Sequence, residues 1–197
     1  MKIAYIVFHP ISRNDGVVKK VFSQVTEFKS YGNEVRVFAF SKDGKKSNVL
    51  DATVYQEKKS NYRFRKNQHF LKDILKFNPD KIYCRYDTYN RSVFHLINQG
   101  YPVIFEYNTY DLSESWLLFK RSLKIKELLK WSLYFFSRKF WIRRAAGHIF
   151  VTEDLLLKYK SMLPFDKPRT AIPNSISFSN FQNVNIPNYI EKNPNIV

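Results

Sequence analysis

Glu106 and Asp111 stand five residues apart in the segment EYNTYDLSE, and on a loop such a pair can orient hydroxyl groups or assist a proton transfer. Loop carboxylates can equally be structural. Arg85 ends the apolar run KIYCR, where a guanidinium can hold a phosphate or carboxylate bidentately, or else pair with Asp87 or Glu106. Asp15-Gly16-Val17 opens a helical pattern. The first-turn N–H groups have no intrahelical partner and sit at the positive end of the dipole, so Gly16 and Val17 can receive an anion; the plainer alternative is Asp15 as an N-cap. Arg13, Lys19 and Lys20 can steer a diphosphate or form solvated surface charge. His9, His69, His95 and His148 lack a partner at i+4, so no metal centre is expected. Cys84, the single cysteine, lies in an apolar strand, which suits an inert buried thiol and a reducing compartment. Walker A, G-x-G-x-x-G and G-x-S-x-G sequences are absent.

These residues fall at the ends of a regular alternation. Residues 2–8 are apolar at nearly every position, the pattern of a strand covered on both faces. Val17 or Val18, Val21, Val25 and Phe28 follow at helical spacing, with Gly32 as the stop. EVRVFAF, residues 52–56, KIYCR, PVIFEY, GHIFV and RTAIPN read as further strands, and residues 62–77, 89–98 and 153–162 as helices. Strand alternating with helix over short connections predicts an α/β fold with an open parallel sheet and helices on both faces. Ligand sites of such sheets gather at the carboxyl ends of the strands. Here those ends carry His9 to Gly16, Arg85 to Tyr89, Glu106 to Asp111, Thr152 to Glu153, and Asn174.

The chain has 197 residues, 44% of them hydrophobic, enough to bury a full core, and its net charge of +16 attracts polyanions. No stretch reaches the roughly 18 apolar residues of a membrane-spanning helix, and the N-terminus reads as a strand rather than a signal peptide, so a cytoplasmic location is expected. From Ser175 the composition turns to Asn, Ser, Phe and Pro without periodicity. Residues 1–177 are therefore read as one domain and residues 178–197 as a linker and the start of a second.

Five segments, in this order, resemble the N-terminal Rossmann-like domain of GT-B glycosyltransferases, in particular the retaining family 4 enzymes. MKIAYIVFHP with DGVVKKV is similar to their first strand and glycine loop. DKIYCRYDTYN resembles the "D-x-I-x-x-R" strand, EYNTYDLSE the segment after the next strand, GHIFVTEDLLLKY the "I-x-V-S-E" strand and helix, and AIPNSIS the "I-P-N-G" segment before the interdomain linker. The resemblance implies half of a GT-B fold and transfer of a sugar, with retention, from a nucleotide-sugar donor to a saccharide or lipid-linked acceptor in bacterial surface polysaccharide synthesis. It implies diphosphate binding at Gly16 and Val17, acceptor contacts at His9, Arg85, Tyr86, Asn108 and Glu153, and catalysis at Glu106 or Asp111. No metal or other cofactor is expected. The chain departs from the family in having one glycine after Asp15, no His-Asp after the fifth strand, and Ser175 in place of the last glycine. The donor-binding "E-x7-E" segment belongs to the second domain, so residues 1–197 alone are expected to be inactive.

Residues 115–145 hold nine Lys or Arg and one acid, Glu127, a net +8, with no Gly or Pro. On a helix, Leu118, Ile125, Leu129, Leu133, Phe136 and Phe140 form one stripe, read as core-facing, while Trp116, Leu123, Tyr134 and Trp141 form a second beside Lys120, Lys124 and Arg138. The second line suits the headgroup layer of an anionic membrane on its inner face; the alternative is a pair of helices packed into the domain. A different reading of the charge is a nucleic-acid-binding or non-catalytic Rossmann-like module, although no recognition motif for nucleic acid is present and none is expected as partner.

Overall fold

The computed structural model describes residues 1–173 except 14, 49, 58–61 and 86–88, and leaves aside the side chains of residues 62, 111, 130, 133, 134 and 137–139. The expectations placed on Tyr86 and Asn174, on the side chains of Asp111, Leu133, Tyr134 and Arg138, and on the linker at 178–197 lie outside the described residues.

The chain runs β1 (Lys2–Val7), α1 (Gly16–Ser30), β2 (Glu34–Ser41), β3 (Ala52–Gln56), α2 (Gln68–Phe77), β4 (Lys81–Arg85), α3 (Arg91–Asn98), β5 (Val103–Tyr107), α4 (Asp111–Ser122), α5 (Ile125–Arg144), β6 (Gly147–Phe150), α6 (Glu153–Tyr159) and β7 (Arg169–Ala171). The seven strands form one parallel sheet in the order β3-β2-β1-β4-β5-β6-β7. This is the open Rossmann-like α/β architecture that the alternation predicts.

Short polar side chains set the helix starts. Asp15, Asn67, Asn90 and Thr152 each accept first-turn amides of the helix they precede. Asn67 explains one difference from the sequence reading: residues 62–64 make only a 3-10 turn, and the helix begins at Gln68 once Asn67 caps it. Similarly, α3 begins at Arg91, after its cap Asn90, rather than at residue 89.

Right-handed crossovers decide which face each helix covers. The chain steps leftward from β1 to β2 through α1, then rightward through α2, α3, the α4–α5 pair and α6. One core layer accordingly packs Phe70, Ile74, Leu96, Trp141, Ile142 and Tyr159 from four helices against the sheet. Among the described residues, the other takes its helical side chains from α1, with Val18, Val21 and Val25 buried and Phe28 packed against them. Ile104 of β5 and Ile149 of β6 are only partly buried on that second face, where a cleft of about 560 Å³ opens beside α1.

The basic segment departs most from expectation. Leu123, with φ 51°, breaks it into two helices. A leucine in the left-handed region costs about 1–2 kcal/mol, and the packing of Trp116 on Trp131 across the pair, with ring centroids 5.2 Å apart, opposes that cost. The expected core stripe faces outward where its side chains are described, that of Leu133 lying outside the described residues. The second line is split, with Leu123 77% and Trp116 36% exposed and Trp141 alone buried among its described members. Ile125 is 69% exposed, Leu129 65% and Phe136 74%, and Leu118 and Phe140 are exposed too, whereas Trp141 from the second line is 3% exposed and packs on Phe94 and Tyr89. Among the described side chains, those of the hairpin that are buried lie at its open end, Leu112 and Ser115 of α4 and Trp141 and Ile142 of α5.

His148 starts β6 inside the core, its Nδ1 3.1 Å from the Tyr107 hydroxyl and its Nε2 buried without a hydrogen-bond partner. Burial, reinforced by the charge of Arg169, lowers its pKa to about 4. A depressed folded-state value means that the stability His148 contributes is complete above the unfolded pKa near 6.5 and is lost as pH falls towards 4. Acidification through that window is expected to remove on the order of 3 kcal/mol. His148→Asn, which keeps a partner for Tyr107, should flatten the pH dependence of urea midpoints; an unchanged slope would contradict the account.

Candidate functional site

The carboxyl ends of β1, β4, β5 and β6 bring the predicted residues to one edge of the sheet. After β1, His9 turns back on Asp15, its Nε2–H donating to Oδ2 at 2.7 Å. The other oxygen, Oδ1, accepts from the amides of Val17 and Val18 at 3.0 and 3.1 Å. Asp15 is thus an N-cap and a histidine anchor at once. Partial burial would raise its pKa, but the hydrogen bonds from His9, Val18 and Val17 outweigh it and hold the carboxyl below the usual range.

This arrangement narrows the expectation for Gly16 and Val17. Asp15 already takes the Val17 amide and places a negative charge at the helix end, where a diphosphate would meet repulsion. Gly16 itself is open, with nothing within 4 Å of the place a Cβ would occupy.

Arg85 closes β4 directly opposite Glu106 in the register of β4 and β5. The two do not form the anticipated salt bridge, and the alternative partner Asp87 lies outside the described residues. Instead Arg85 Nη1 is buried with no hydrogen-bond partner. An unmet buried donor costs about 1–3 kcal/mol, more when charged, so an anionic or polar group that reached this nitrogen would be stabilised there.

Glu106 is committed elsewhere. Its side chain is 1% exposed, and it accepts from Lys20 Nζ at 2.8 Å, Gln24 Nε2 at 2.7 Å, Asn108 Nδ2 at 2.9 Å and the Tyr83 hydroxyl. Asn108 Oδ1 also accepts from Lys20 at 3.1 Å, and the Tyr5 hydroxyl donates to Gln24 at 2.6 Å. Burial, the largest influence on the carboxyl, would raise its pKa, but the hydrogen bonds from Lys20, Tyr83 and Gln24 keep it below the ordinary value. Burial together with the Glu106 charge pushes the Tyr83 hydroxyl up. An ionised carboxylate with both oxygens engaged fits a fixed anchor of α1 on β5 better than a proton carrier.

Of the other expected residues, Asn108 belongs to this buried network, and Glu153 is exposed in the first turn of α6, behind the Thr152 cap. Lys20, Gln24, Tyr83 and Tyr5 were not singled out as a unit. The available signal was a charged residue within the apolar strand VIFEY, which demands a buried partner, together with Lys20 and Gln24 one turn apart on α1. Lys20, Gln24, Tyr83 and Glu106 line the cleft beside α1, with Phe28, Ile149 and Ile172 supplying its apolar wall. Among the described residues no three His, Cys, Asp or Glu side chains converge as a metal site would require.

No family model and no curated protein matches the chain. Among solved structures it is similar to a sucrose-phosphate synthase from Thermosynechococcus elongatus, at 12% identity and TM-score 0.55, over 92% of this chain and 93% of that one. MurG of Acinetobacter baumannii matches at 10% identity and TM-score 0.44, over 89% of this chain and 47% of that one. An alpha-glucosyltransferase, solved with UDP and a 13-mer DNA, matches at 14% identity and TM-score 0.41, over 78% of this chain and 38% of that one. At such identities a likeness concerns fold alone. The fold is that of a Rossmann-like α/β domain of the kind that makes up one half of a GT-B glycosyltransferase.

Proposed function

We propose that the chain is the acceptor-side half of a retaining glycosyltransferase, which moves a sugar from a nucleotide-sugar donor to a saccharide or lipid-linked acceptor in bacterial surface polysaccharide synthesis, working at the inner face of a membrane. The observation that carries this reading is the carboxyl edge of the sheet, where the buried, unpaired Nη1 of Arg85 and the His9–Asp15 pair are held on neighbouring strand ends. The fold likeness supports it, since strand ends of this kind form clefts for phosphorylated ligands.

In this reading Arg85 grips a phosphate or carboxylate of a substrate, and His9, oriented by Asp15, hydrogen-bonds an acceptor hydroxyl. Asp111, at the start of α4, is the carboxylate left to orient the sugar, because Glu106 already serves Lys20 and Gln24. Charge on the departing diphosphate is stabilised by helix ends and basic side chains, largely those of a second domain, without a bound metal. Sugar transfer from a panel of nucleotide sugars to lipid-extract acceptors tests the proposal. Residues 1–197 alone are expected to give no transfer and no donor hydrolysis, whereas the same residues joined to a donor-binding domain should transfer sugar. Turnover by residues 1–197 alone would show that no second wall is needed.

A further inference from the structure

Four apolar side chains on the outer part of the α4–α5 hairpin serve neither the core nor the packing of the two helices. Leu123 at the turn is 77% exposed, and Ile125, Leu129 and Phe136 continue along α5. At 3.6 residues per turn, the three α5 residues fall within an arc of about 40°. The internal face of the hairpin is already filled by Trp116, Trp131 and Phe135. Scattered exposed leucines are ordinary, but an aligned row along a helix of about 30 Å marks a contact surface. Leu123 is the most telling of the four. A left-handed turn favours Gly or Asn, and a leucine there, pointing into solvent, helps neither the turn nor the core.

The charge around the row selects its partner. Lys120, Lys124, Lys126 and Arg143 are all exposed, and the segment carries +8. A second copy docked on this face would set +8 against +8. Bases of a nucleic acid would find one ring, Phe136, among three aliphatic side chains, too few aromatic faces for the successive stacking that single-strand binding uses. An anionic lipid surface satisfies both features, since its headgroups meet the cations and its acyl boundary takes up the leucines. No helix among the described residues is long and apolar enough to cross a membrane, so contact is in the interface plane.

We propose that the α4–α5 hairpin docks on an anionic bilayer, inserting Leu123, Ile125, Leu129 and Phe136 below the headgroups while Lys120, Lys124, Lys126 and Arg143 engage the lipid phosphates. The site differs from the one expected from sequence, for Trp141 is buried and Trp116 faces Trp131. The inference names the surface behind the membrane part of the proposed function. It is independent of the chemistry, so lipid binding and sugar transfer can fail separately.

Co-sedimentation of the full chain with vesicles of phosphatidylcholine alone, or mixed with phosphatidylglycerol, tests it. Binding is expected only to the mixed vesicles and should weaken with salt. Leu129→Gln with Phe136→Gln should lower partitioning roughly tenfold or more at unchanged melting temperature. Leu123→Gly should weaken binding while leaving the protein as stable or more so. Equal binding to both vesicle types, binding to neither, or unaltered binding by the double glutamine variant would overturn the proposal. So would a solution dimer, or an RNA complex at physiological salt, that the same substitutions dissociate.

Discussion

Glu106→Leu is expected to lower the unfolding free energy by about 3–5 kcal/mol, because it leaves Lys20 without its anion and strips hydrogen-bond acceptors from Gln24, Tyr83 and Asn108. For a chain of this length that corresponds to a fall in melting temperature of roughly 10 °C. The loss comes from the partners left behind rather than from the ion pair's own worth. Replacing both charges, with Lys20→Met and Glu106→Leu together, should therefore recover much of the stability, since a buried pair exchanged for apolar groups is often close to neutral. Glu106→Gln keeps an acceptor for Tyr83 and should cost less than Glu106→Leu. Urea unfolding with unchanged m-values provides the measurement. Equal destabilisation by the single and double variants would mean that the network is not coupled as described. The folded-state carboxyl is held below its ordinary value, so its contribution is present above the unfolded pKa of about 4.5 and fades as pH falls below it. A proton carrier near neutrality would need the opposite shift.

Arg85→Met tests the edge of the sheet, and here stability and binding should move in opposite directions. Removing a buried donor that has no partner is expected to leave the free protein as stable as before, or more stable by about 1 kcal/mol. With inorganic pyrophosphate or UDP at about 100 times its dissociation constant, the unsubstituted chain should gain about 2.7 kcal/mol from binding, seen as a rise in melting temperature of roughly 5–10 °C. Arg85→Met should abolish most of that rise, and Arg85→Lys should restore only part of it, because an ammonium cannot reproduce the planar fork of a guanidinium. If neither ligand raised the melting temperature of the unsubstituted chain, Arg85 would lose its role as an anion contact. His9→Gln provides a useful comparison: it loosens the hold on Asp15 but leaves the guanidinium in place.

The architecture was legible because it depends on local signals. Apolar runs of five or six residues such as IAYIV and KIYCR, separated by amphipathic helices with Asp, Asn or Thr caps, specify a parallel sheet wherever they occur, and right-handed crossovers leave little choice of topology. The carboxyl-edge positions of His9, Gly16 and Arg85 follow from that topology alone. What the sequence could not fix were the partners. Whether Lys20 meets solvent, a phosphate or Glu106 depends on a contact across 86 residues, set by where α1 crosses β5, and no local pattern encodes it. Likewise, periodicity marks two apolar lines on the basic segment without ranking them. Only the tertiary structure decides that the sheet receives Trp141 and Ile142 while Leu129 and Phe136 face outward, because the hairpin touches the core at its open end and extends beyond it.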